Sequence, residues 1–292
     1  MTRVAITLGD PRGVGPELVE CVLRDPPPEA QFVVIGPEDL VAGLPAEQIG
    51  VNTGPGSDEV RAGRLAGAAI ERAAALALDG SVDAIVTGPV HKHALHAAGY
   101  RYPGHTEWLA DLAGGVDVVM MLAVDRLRVC LVTTHIPLRE VPDRLSEERV
   151  VRTGEIVRND LRRRFGLAEP RLAVCALNPH AGESGLFGLE DRDILAPAAR
   201  TLGATGPVPA DTVFVRALQG EFDAVLAPYH DVGMTAIKVA GFGRAVNVTL
   251  GLPFIRTSPD HGTAFDLAGT GRADPGSMRE AVRLAIRLAR RA

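Results

Sequence analysis

Three histidines share a setting that could support metal chemistry. His135, His180 and His230 each follow an apolar run typical of a buried strand, and a proline lies close to each. Strand ends of one parallel sheet share an edge, so these side chains could converge, with Glu183 and Asp231 orienting rings or adding oxygen ligands. Three imidazoles suit Zn²⁺ or Co²⁺ and leave positions for a substrate. Because an isolated histidine is more often structural, the pattern alone leaves both interpretations open.

A second group of polar residues could bind an anion. Lys238, Asn247 and Arg256 are the residue types that grip a carboxylate or a phosphate. His105 and Thr106 follow a glycine at a predicted helix start, where a ring and a hydroxyl can hydrogen-bond to an anionic group. Spacing does not show that these residues meet, and surface or capping roles remain open for them.

Two further segments carry weaker signals. His91, His93 and His96 lie within six residues but have no acidic or cysteine neighbour, which favours exposed or substrate-adjacent side chains over a metal cluster. The glycine-bearing turn at 9–17 follows a strand and opens a helix, so it could present backbone N–H groups to an anion. It matches neither the dinucleotide-binding nor the Walker pattern, and a tight turn explains it equally well.

The elements that must position these residues alternate along the chain. Continuous apolar runs predict strands at 4–8, 31–35, 84–87, 116–124, 128–133, 171–175, 224–228 and 245–249. Helical patterns lie at 16–23, 59–78, 146–165, 191–202 and 275–291, with Ser146 as a predicted N-cap. The alternation predicts an α/β fold with a mainly parallel sheet. Residues 25–56, rich in Pro and Gly, are predicted to form surface connections apart from the strand at 31–35.

Composition narrows the class of protein. The 292 residues are 46% hydrophobic and 23% charged with a net charge of −5, which disfavours nucleic-acid binding. No apolar run approaches the roughly 18–20 residues of a membrane helix, and the N-terminal run is too short for a signal peptide. Cys21, Cys130 and Cys175 form no CxxC pair and lie in apolar stretches, as buried cysteines of a reducing compartment do. A cytoplasmic location is expected.

Ten segments of the chain, met in order, together resemble one enzyme family. The segments are LGDP (8–11), GVGPE (13–17), GPVHK (88–92), GHTE (104–107), THIPL (134–138), NPHAGE (178–183), PADT (209–212), YHD (229–231), NVTLGLPFIRTS (247–258) and DHGT (260–263). They resemble the 4-hydroxythreonine-4-phosphate dehydrogenase family, NAD-dependent enzymes of pyridoxal phosphate biosynthesis. The resemblance covers nearly the whole chain.

This resemblance implies a fold and an assembly. It implies two α/β/α domains with mainly parallel sheets, like those of isocitrate and isopropylmalate dehydrogenases. We expect one domain at 1–107 plus 262–292, a second at 108–261 that carries the metal histidines, and a cleft between them. It also implies a homodimer with the active site at the interface. The net charge and the lack of a membrane-length apolar run lead us to expect neither nucleic acid nor membrane as a partner.

The resemblance also implies residue roles. A divalent metal (Zn, Mg or Co) would be bound by histidines drawn from both subunits, and five residues would contact substrate; NAD or NADP would bind through residues that the sequence does not identify. The expected metal ligands are His135, His180 and His230, and the expected substrate contacts are His105, Thr106, Lys238, Asn247 and Arg256. Lys238 or Asp231 would assist proton transfer.

The expected reaction is oxidation of 4-phosphohydroxy-L-threonine to 2-amino-3-oxo-4-phosphooxybutanoate, followed by decarboxylation to 3-amino-2-oxopropyl phosphate. Two departures from the family pattern bear on the substrate: the region 25–56 is short, and Val232 stands where glutamine is usual. A paralogous dehydrogenase for another four-carbon hydroxy acid, phosphorylated or not, or for a dihydrodiol carboxylate is therefore an alternative. A metal-dependent lyase or hydrolase and a non-catalytic metal- or anion-binding protein are the others.

Overall fold

The computed structural model describes residues 1–291, which contain eleven strands. In chain order these are β1 (Thr2–Thr7), β2 (Ala30–Pro37), β3 (Glu47–Val51), β4 (Ala84–Thr87), β5 (Val119–Val124), β6 (Leu127–Leu131), β7 (Leu172–Cys175), β8 (Thr205–Val208), β9 (Ala224–Ala227), β10 (Val246–Leu250) and β11 (Ile255–Pro259).

Helices separate most of the strands. They are α1 (Gly15–Leu23), α2 (Glu38–Val41), α3 (Asp58–Leu78), α4 (Lys92–Ala97), α5 (His105–Leu112), α6 (Val141–Arg144), α7 (Glu147–Arg163), α8 (Ala196–Leu202), α9 (Ala210–Leu218), α10 (His230–Gly241) and α11 (Gly276–Ala289). The α/β fold with mainly parallel pairing, predicted from the alternation of patterns, is confirmed.

The first of two compact units comprises Met1–Asp117 and the chain from Val246 onward. Its strands lie in the order β3-β2-β1-β4-β11-β10, and only the β10–β11 pair is antiparallel. Helices α3 and α11 both pack on β1 and β4. Strand β1 is buried except at Arg3, so its apolar run reflects a strand covered by helices.

The second unit is the continuous segment Val118–Ala245. Its strands lie in the order β5-β6-β9-β7-β8, with β5 and β6 forming an antiparallel hairpin and the remaining neighbours pairing in parallel. One core cluster contains residues of β5, β6, β7 and β9 together with α9 and α10. The carboxyl ends of β6, β9 and β7 therefore lie side by side.

Local sequence accounts for several of these elements. Ser146 caps α7, because its Oγ accepts a hydrogen bond of 3.1 Å from the backbone N–H of Arg149, as predicted. Helices α3 and α4 approach so closely at Gly63 that a Cβ there would lie 2.0 Å from the carbonyl oxygen of Ala94. Glycine is required at that position by space.

The structure differs from the prediction at the unit boundaries, at three strands and at five helices that the sequence patterns did not indicate, α2, α4, α6, α9 and α10. The units divide at 117/118 and 245/246 rather than at 107/108 and 261/262, because β11 pairs with β4 and β10 pairs with β11 in the first unit. Three strands were not predicted: β3, β8 and β11. The first lies within 25–56, where surface connections were expected, and the other two are short and rich in polar residues or proline.

The three cysteines and the apolar helices were also the subject of sequence predictions. Within residues 1–291, no helix combines the length and hydropathy needed to cross a membrane. Cys130 and Cys175 are buried, as predicted, whereas Cys21 is partly exposed, and none forms a disulfide. Burial raises the pKa of the Cys175 thiol to about 12 and raises that of Cys130 as well, so both stay protonated at neutral pH.

Candidate active site

His135 and His230 meet at the carboxyl ends of two paired strands. His230 begins α10 three residues after β9, and His135 lies four residues beyond β6, which is parallel to β9. Past the strands, the hydroxyl of Thr133 donates to the carbonyl of Pro228 at 2.7 Å and keeps the two chain segments together. The ring centroids of the two histidines are 5.5 Å apart.

Asp231 fixes the orientation of the His230 ring. Its Oδ1 lies 2.7 Å from His230 Nδ1, while most of the Asp231 side chain is exposed. A proton on Nδ1 leaves the lone pair of Nε2 available, and this is the usual arrangement of a histidine that binds a metal. Two close imidazoles, one of them oriented by a carboxylate, fit the donor chemistry of a zinc-type ion.

His180 lies beyond β7, the other neighbour of β9. It belongs to the turn Pro179–Gly185, and its ring centroid is 6.4 Å from that of Phe187. Throughout residues 1–291 of this single chain, no three His, Cys, Asp or Glu side chains lie close enough together to hold a metal. The structure therefore brings together two of the three predicted ligands and leaves the third apart.

A buried guanidinium marks a different site, in the first unit. Arg256 of β11 is only 2% exposed and donates to two hydroxyls: Thr87 Oγ1 accepts at 3.2 and 2.7 Å, and Thr249 Oγ1 at 3.0 Å. Burial lowers the pKa of Arg256 to about 10, against the opposing effect of the Glu107 carboxylate, so the group remains charged at neutral pH. A buried cation with neutral partners favours an anionic ligand.

Two buried polar atoms accompany this cation. Asn247 precedes Thr249 by two residues on β10, and Thr249 is the register partner of Arg256, so the three side chains share a face of the sheet. Asn247 Oδ1 and His105 Nε2 are buried and have no hydrogen-bond partner within the described residues. Buried polar groups in native proteins are normally paired, and a bound ligand would satisfy these two atoms.

His105 is held in its neutral form. The first reason is burial, and the positive charges of Arg256 and Lys92 add to it, so the pKa of His105 lies well below its ordinary value. A neutral imidazole can donate one hydrogen bond without adding a further positive charge beside Arg256. Thr106, the next residue of α5, is partly exposed.

Comparison with known proteins identifies the family. A family model described as "Pyridoxal phosphate biosynthetic protein PdxA" matches residues 29–285. This chain belongs to that family. A 4-hydroxythreonine-4-phosphate dehydrogenase from Geobacter metallireducens is 47% identical over an alignment that covers 99% of this chain and 96% of the relative.

Solved structures agree with the family assignment. The crystal structure of 4-hydroxythreonine-4-phosphate dehydrogenase from Klebsiella pneumoniae has a TM-score of 0.86 at 42% identity and covers 99% of this chain and 98% of that one. A terephthalate 1,2-cis-dihydrodiol dehydrogenase from Burkholderia xenovorans has a TM-score of 0.69 at 29% identity, covering 98% of each chain. The predictions of a dehydrogenase and of this family are confirmed.

The remaining residues predicted from family motifs lie in separate places. Lys238 belongs to the second unit and lies on α10, two helical turns from His230. Its Nζ is 5.5 Å from the centroid of the Phe242 ring. His93 and His96 are exposed, and His91 and His93 each lie 3.6 Å from a carboxylate oxygen of Glu59. The exposure of His93 and His96 agrees with the expectation that these histidines are exposed or adjacent to substrate.

Sequence reasoning missed the partners of the predicted residues. Thr87 and Thr249 hold Arg256, and Asp10 is buried while accepting three hydrogen bonds from Arg12. Thr87 ends β4, Asp10 lies three residues beyond β1, and Thr249 is the last but one residue of β10. A polar residue near the end of a buried strand is the signal that could have identified them.

The depressed pKa of His105 makes stability depend on pH. The unfolded chain binds a proton at this histidine near pH 6.5, whereas the folded chain does not. Below that pH, protonation of His105 in the unfolded chain favours unfolding. The free energy of unfolding should therefore decrease as the pH is lowered, by up to about 1.4 kcal/mol per pH unit. Urea unfolding at pH 7.5 and 5.5 should show a smaller fall for His105→Gln than for the wild type.

The exposed His96 provides a matched control. His96→Gln should keep the pH dependence of the wild type, because that ring lies at the surface. Equal losses of stability in the wild type and in His105→Gln would contradict the predicted role of burial.

Proposed function

We propose that this chain catalyses the NAD(P)-linked oxidation of 4-phosphohydroxy-L-threonine to 2-amino-3-oxo-4-phosphooxybutanoate, which is then decarboxylated to 3-amino-2-oxopropyl phosphate. The observation that carries the proposal is Arg256, a buried cation whose hydrogen-bond partners are the hydroxyls of Thr87 and Thr249. An anionic substrate would supply a negatively charged hydrogen-bond partner for this cation. His105 and Asn247, each with an unpaired buried atom, would add hydrogen bonds.

Three histidines would hold the divalent metal: His135, His180 and His230. The pair at 5.5 Å and the bond between His230 and Asp231 support this assignment. When bound, Zn²⁺, Co²⁺ or Mg²⁺ would act as a Lewis acid that polarises the substrate hydroxyl and stabilises the negative charge that develops on it. A nicotinamide cofactor, NAD or NADP, would supply the hydride acceptor.

Proton transfer falls to this chain's own side chains. Lys238 or Asp231, the latter exposed beside His230, would assist transfer of the proton of the substrate hydroxyl. Arg256, His105, Thr106 and Asn247 would fix the anionic groups so that the reacting carbon is held in one orientation.

A second copy of the chain would complete the site. Of the eleven large hydrophobic residues exposed within residues 1–291, eight belong to the second unit. They are Leu138, Leu186, Phe187, Leu189, Val215, Leu218, Val239 and Phe242. Leu138 lies three residues from His135, and Phe187 contacts His180. Such apolar exposure beside an incomplete ligand set supports a homodimer whose ligands come from both subunits.

A groove on the second unit extends this apolar surface. It encloses about 550 Å³ between α9 and α10, and its lining includes Val215, Leu218 and Val239. Val239 is 83% exposed and Phe242 81% exposed. A stable interface buries roughly 800 Å² on each partner, and large apolar residues form its core. We place the proposed dimer contact here, and we propose a cytoplasmic location for the enzyme.

Removal of the metal tests the reaction. Purified enzyme treated with a chelator and then freed of it should form no NADH from 4-phosphohydroxy-L-threonine and NAD, because the hydroxyl is no longer polarised. Adding back Zn²⁺, Co²⁺ or Mg²⁺ should restore the rise in absorbance at the NADH band. Full activity in enzyme shown by elemental analysis to be metal-free would overturn the proposal.

A charge in the apolar groove tests the dimer. Val239→Asp should shift the molar mass measured by light scattering from that of a dimer towards 30.8 kDa, because an interfacial carboxylate would be buried unpaired. The control Leu78→Asp changes an exposed leucine of the first unit and should remain dimeric. A Val239→Asp variant that stays dimeric would place the interface elsewhere.

Val232 favours a second candidate function, that of a paralogous dehydrogenase for another four-carbon hydroxy acid or for a dihydrodiol carboxylate. It lies two residues from His230, packs partly against the core of the second unit, and departs from the glutamine that the family resemblance implies at this position. The dihydrodiol dehydrogenase of similar fold shows that this scaffold also serves a substrate of another kind.

Exchange of this residue tests its part in substrate choice. Val232→Gln should change the ratio of kcat/KM values between 4-phosphohydroxy-L-threonine and other phosphorylated four-carbon hydroxy acids by roughly tenfold or more, as one altered contact in a site commonly does. Leu78→Ala, which changes an exposed leucine of the first unit, serves as control. An unchanged ratio would show that Val232 is neutral for selectivity.

A further inference from the structure

The segment that carries His180 has an unusual backbone. His180, Ala181, Glu183 and Ser184 have φ values of 52°, 55°, 41° and 57°, and Gly182 between them has 82°. This is a left-handed helical turn that is mostly built from residues other than glycine. Each such residue is destabilised by contact between its Cβ and the following carbonyl, so left-handed residues normally occur singly. Surrounding contacts must hold this turn in place.

One buried carboxylate holds the two residues that lead into this turn. Asp191 is 1% exposed, and its Oδ1 accepts the backbone N–H of Leu177 at 2.8 Å. Its Oδ2 accepts the backbone N–H of Asn178 at 3.0 Å and the side-chain amide of Asn178 at 2.9 Å. Asn178 Nδ2 also donates to Glu190 at 2.8 Å. Three donors therefore converge on a group that can only accept.

All of these donors come from the segment that leads into the turn. Among residues 1–291, no Lys, Arg or His forms an ion pair with Asp191, so its burial is compensated by Leu177 and Asn178. The carbonyl of Asn178 in turn accepts the N–H of Ala181 at 3.1 Å and closes the turn around His180. Asn178, which Asp191 binds, precedes His180 by two residues.

We infer that Asp191 is a positioning residue for His180, holding the left-handed turn so that the imidazole points to the shared metal site. The inference rests on the proposed role of His180 as a metal ligand. Asp191 does not touch the ring; it acts through the backbone and side chain of Asn178. A carboxylate is required, because asparagine at 191 would direct an NH₂ group at one of the three donors.

The test measures metal affinity of the full chain. Metal-free wild type, Asp191→Asn and His180→Ala are titrated with Co²⁺ against a competing chelator, and the visible Co²⁺ absorption is recorded. We expect Asp191→Asn to bind Co²⁺ 10–100-fold more weakly, the usual loss when a group that orients a ligand is changed, with an altered absorption band. His180→Ala should lose at least as much affinity.

Asp193→Asn is the matched control. It makes the same change two residues away, on an exposed side chain that pairs with Arg192, and should bind Co²⁺ like the wild type. Asn178→Ala, which removes only the side-chain donor, serves if Asp191→Asn does not fold, and it should show a smaller loss. Circular dichroism and thermal unfolding distinguish a folded variant with weak binding from an unfolded one.

The outcomes separate the inference from the proposed function. Wild-type Co²⁺ affinity and absorption in folded Asp191→Asn, or in Asn178→Ala where that variant replaces it, would overturn the positioning role, even if the melting temperature fell. Wild-type affinity in His180→Ala would instead overturn the role of His180 as a ligand. Weakened binding in both variants with an unaffected Asp193→Asn supports both.

Discussion

Parallel pairing of β6, β9 and β7 is the constraint on which the second unit's chemistry depends. Parallel strands end at one edge, so the segments after them, which carry His135, His230 and His180, emerge side by side. The bond from Thr133 to the Pro228 carbonyl continues that pairing past the strands. Only β7 is followed by a turn with left-handed backbone, and that turn has its own support in Asp191.

Arginines in this chain have two kinds of hydrogen-bond partner. Arg171 at the surface binds the carboxylate of Asp223 through both of its oxygens, and Arg12 binds the carboxylate of Asp10 in the same way. Arg256 is buried beside hydroxyls instead. A carboxylate neutralises a guanidinium, whereas a hydroxyl orients it and leaves its charge available. This difference in partner, more than the presence of arginine, distinguishes an anion site from a structural ion pair.

Most strands of the sheet could be predicted from the sequence, and the elements that were not predicted have physical reasons for escaping prediction. Strands β1, β4, β7 and β9 are apolar because helices cover them, and their patterns predicted them. Strand β11 is fully buried yet reads Ile-Arg-Thr-Ser-Pro, since its side chains serve the Arg256 site and the Ala281 carbonyl, so hydropathy could not reveal it. The turn at His180 was not predictable either, because residues with a Cβ seldom take positive φ. Asp191, which binds the residues that lead into the turn, is eleven positions further along the chain.

The division of the chain also sets an order of events during synthesis. The second unit is one uninterrupted segment and leaves the ribosome whole, while the first lacks β10, β11 and α11 until the chain beyond residue 245 has been made. Until then β4 has no neighbour on its β11 side, and an apolar sheet edge is exposed in the nascent chain. Arg256 enters the structure in the same late step, so the proposed anion-binding pocket can form only after β10 and β11 have been made.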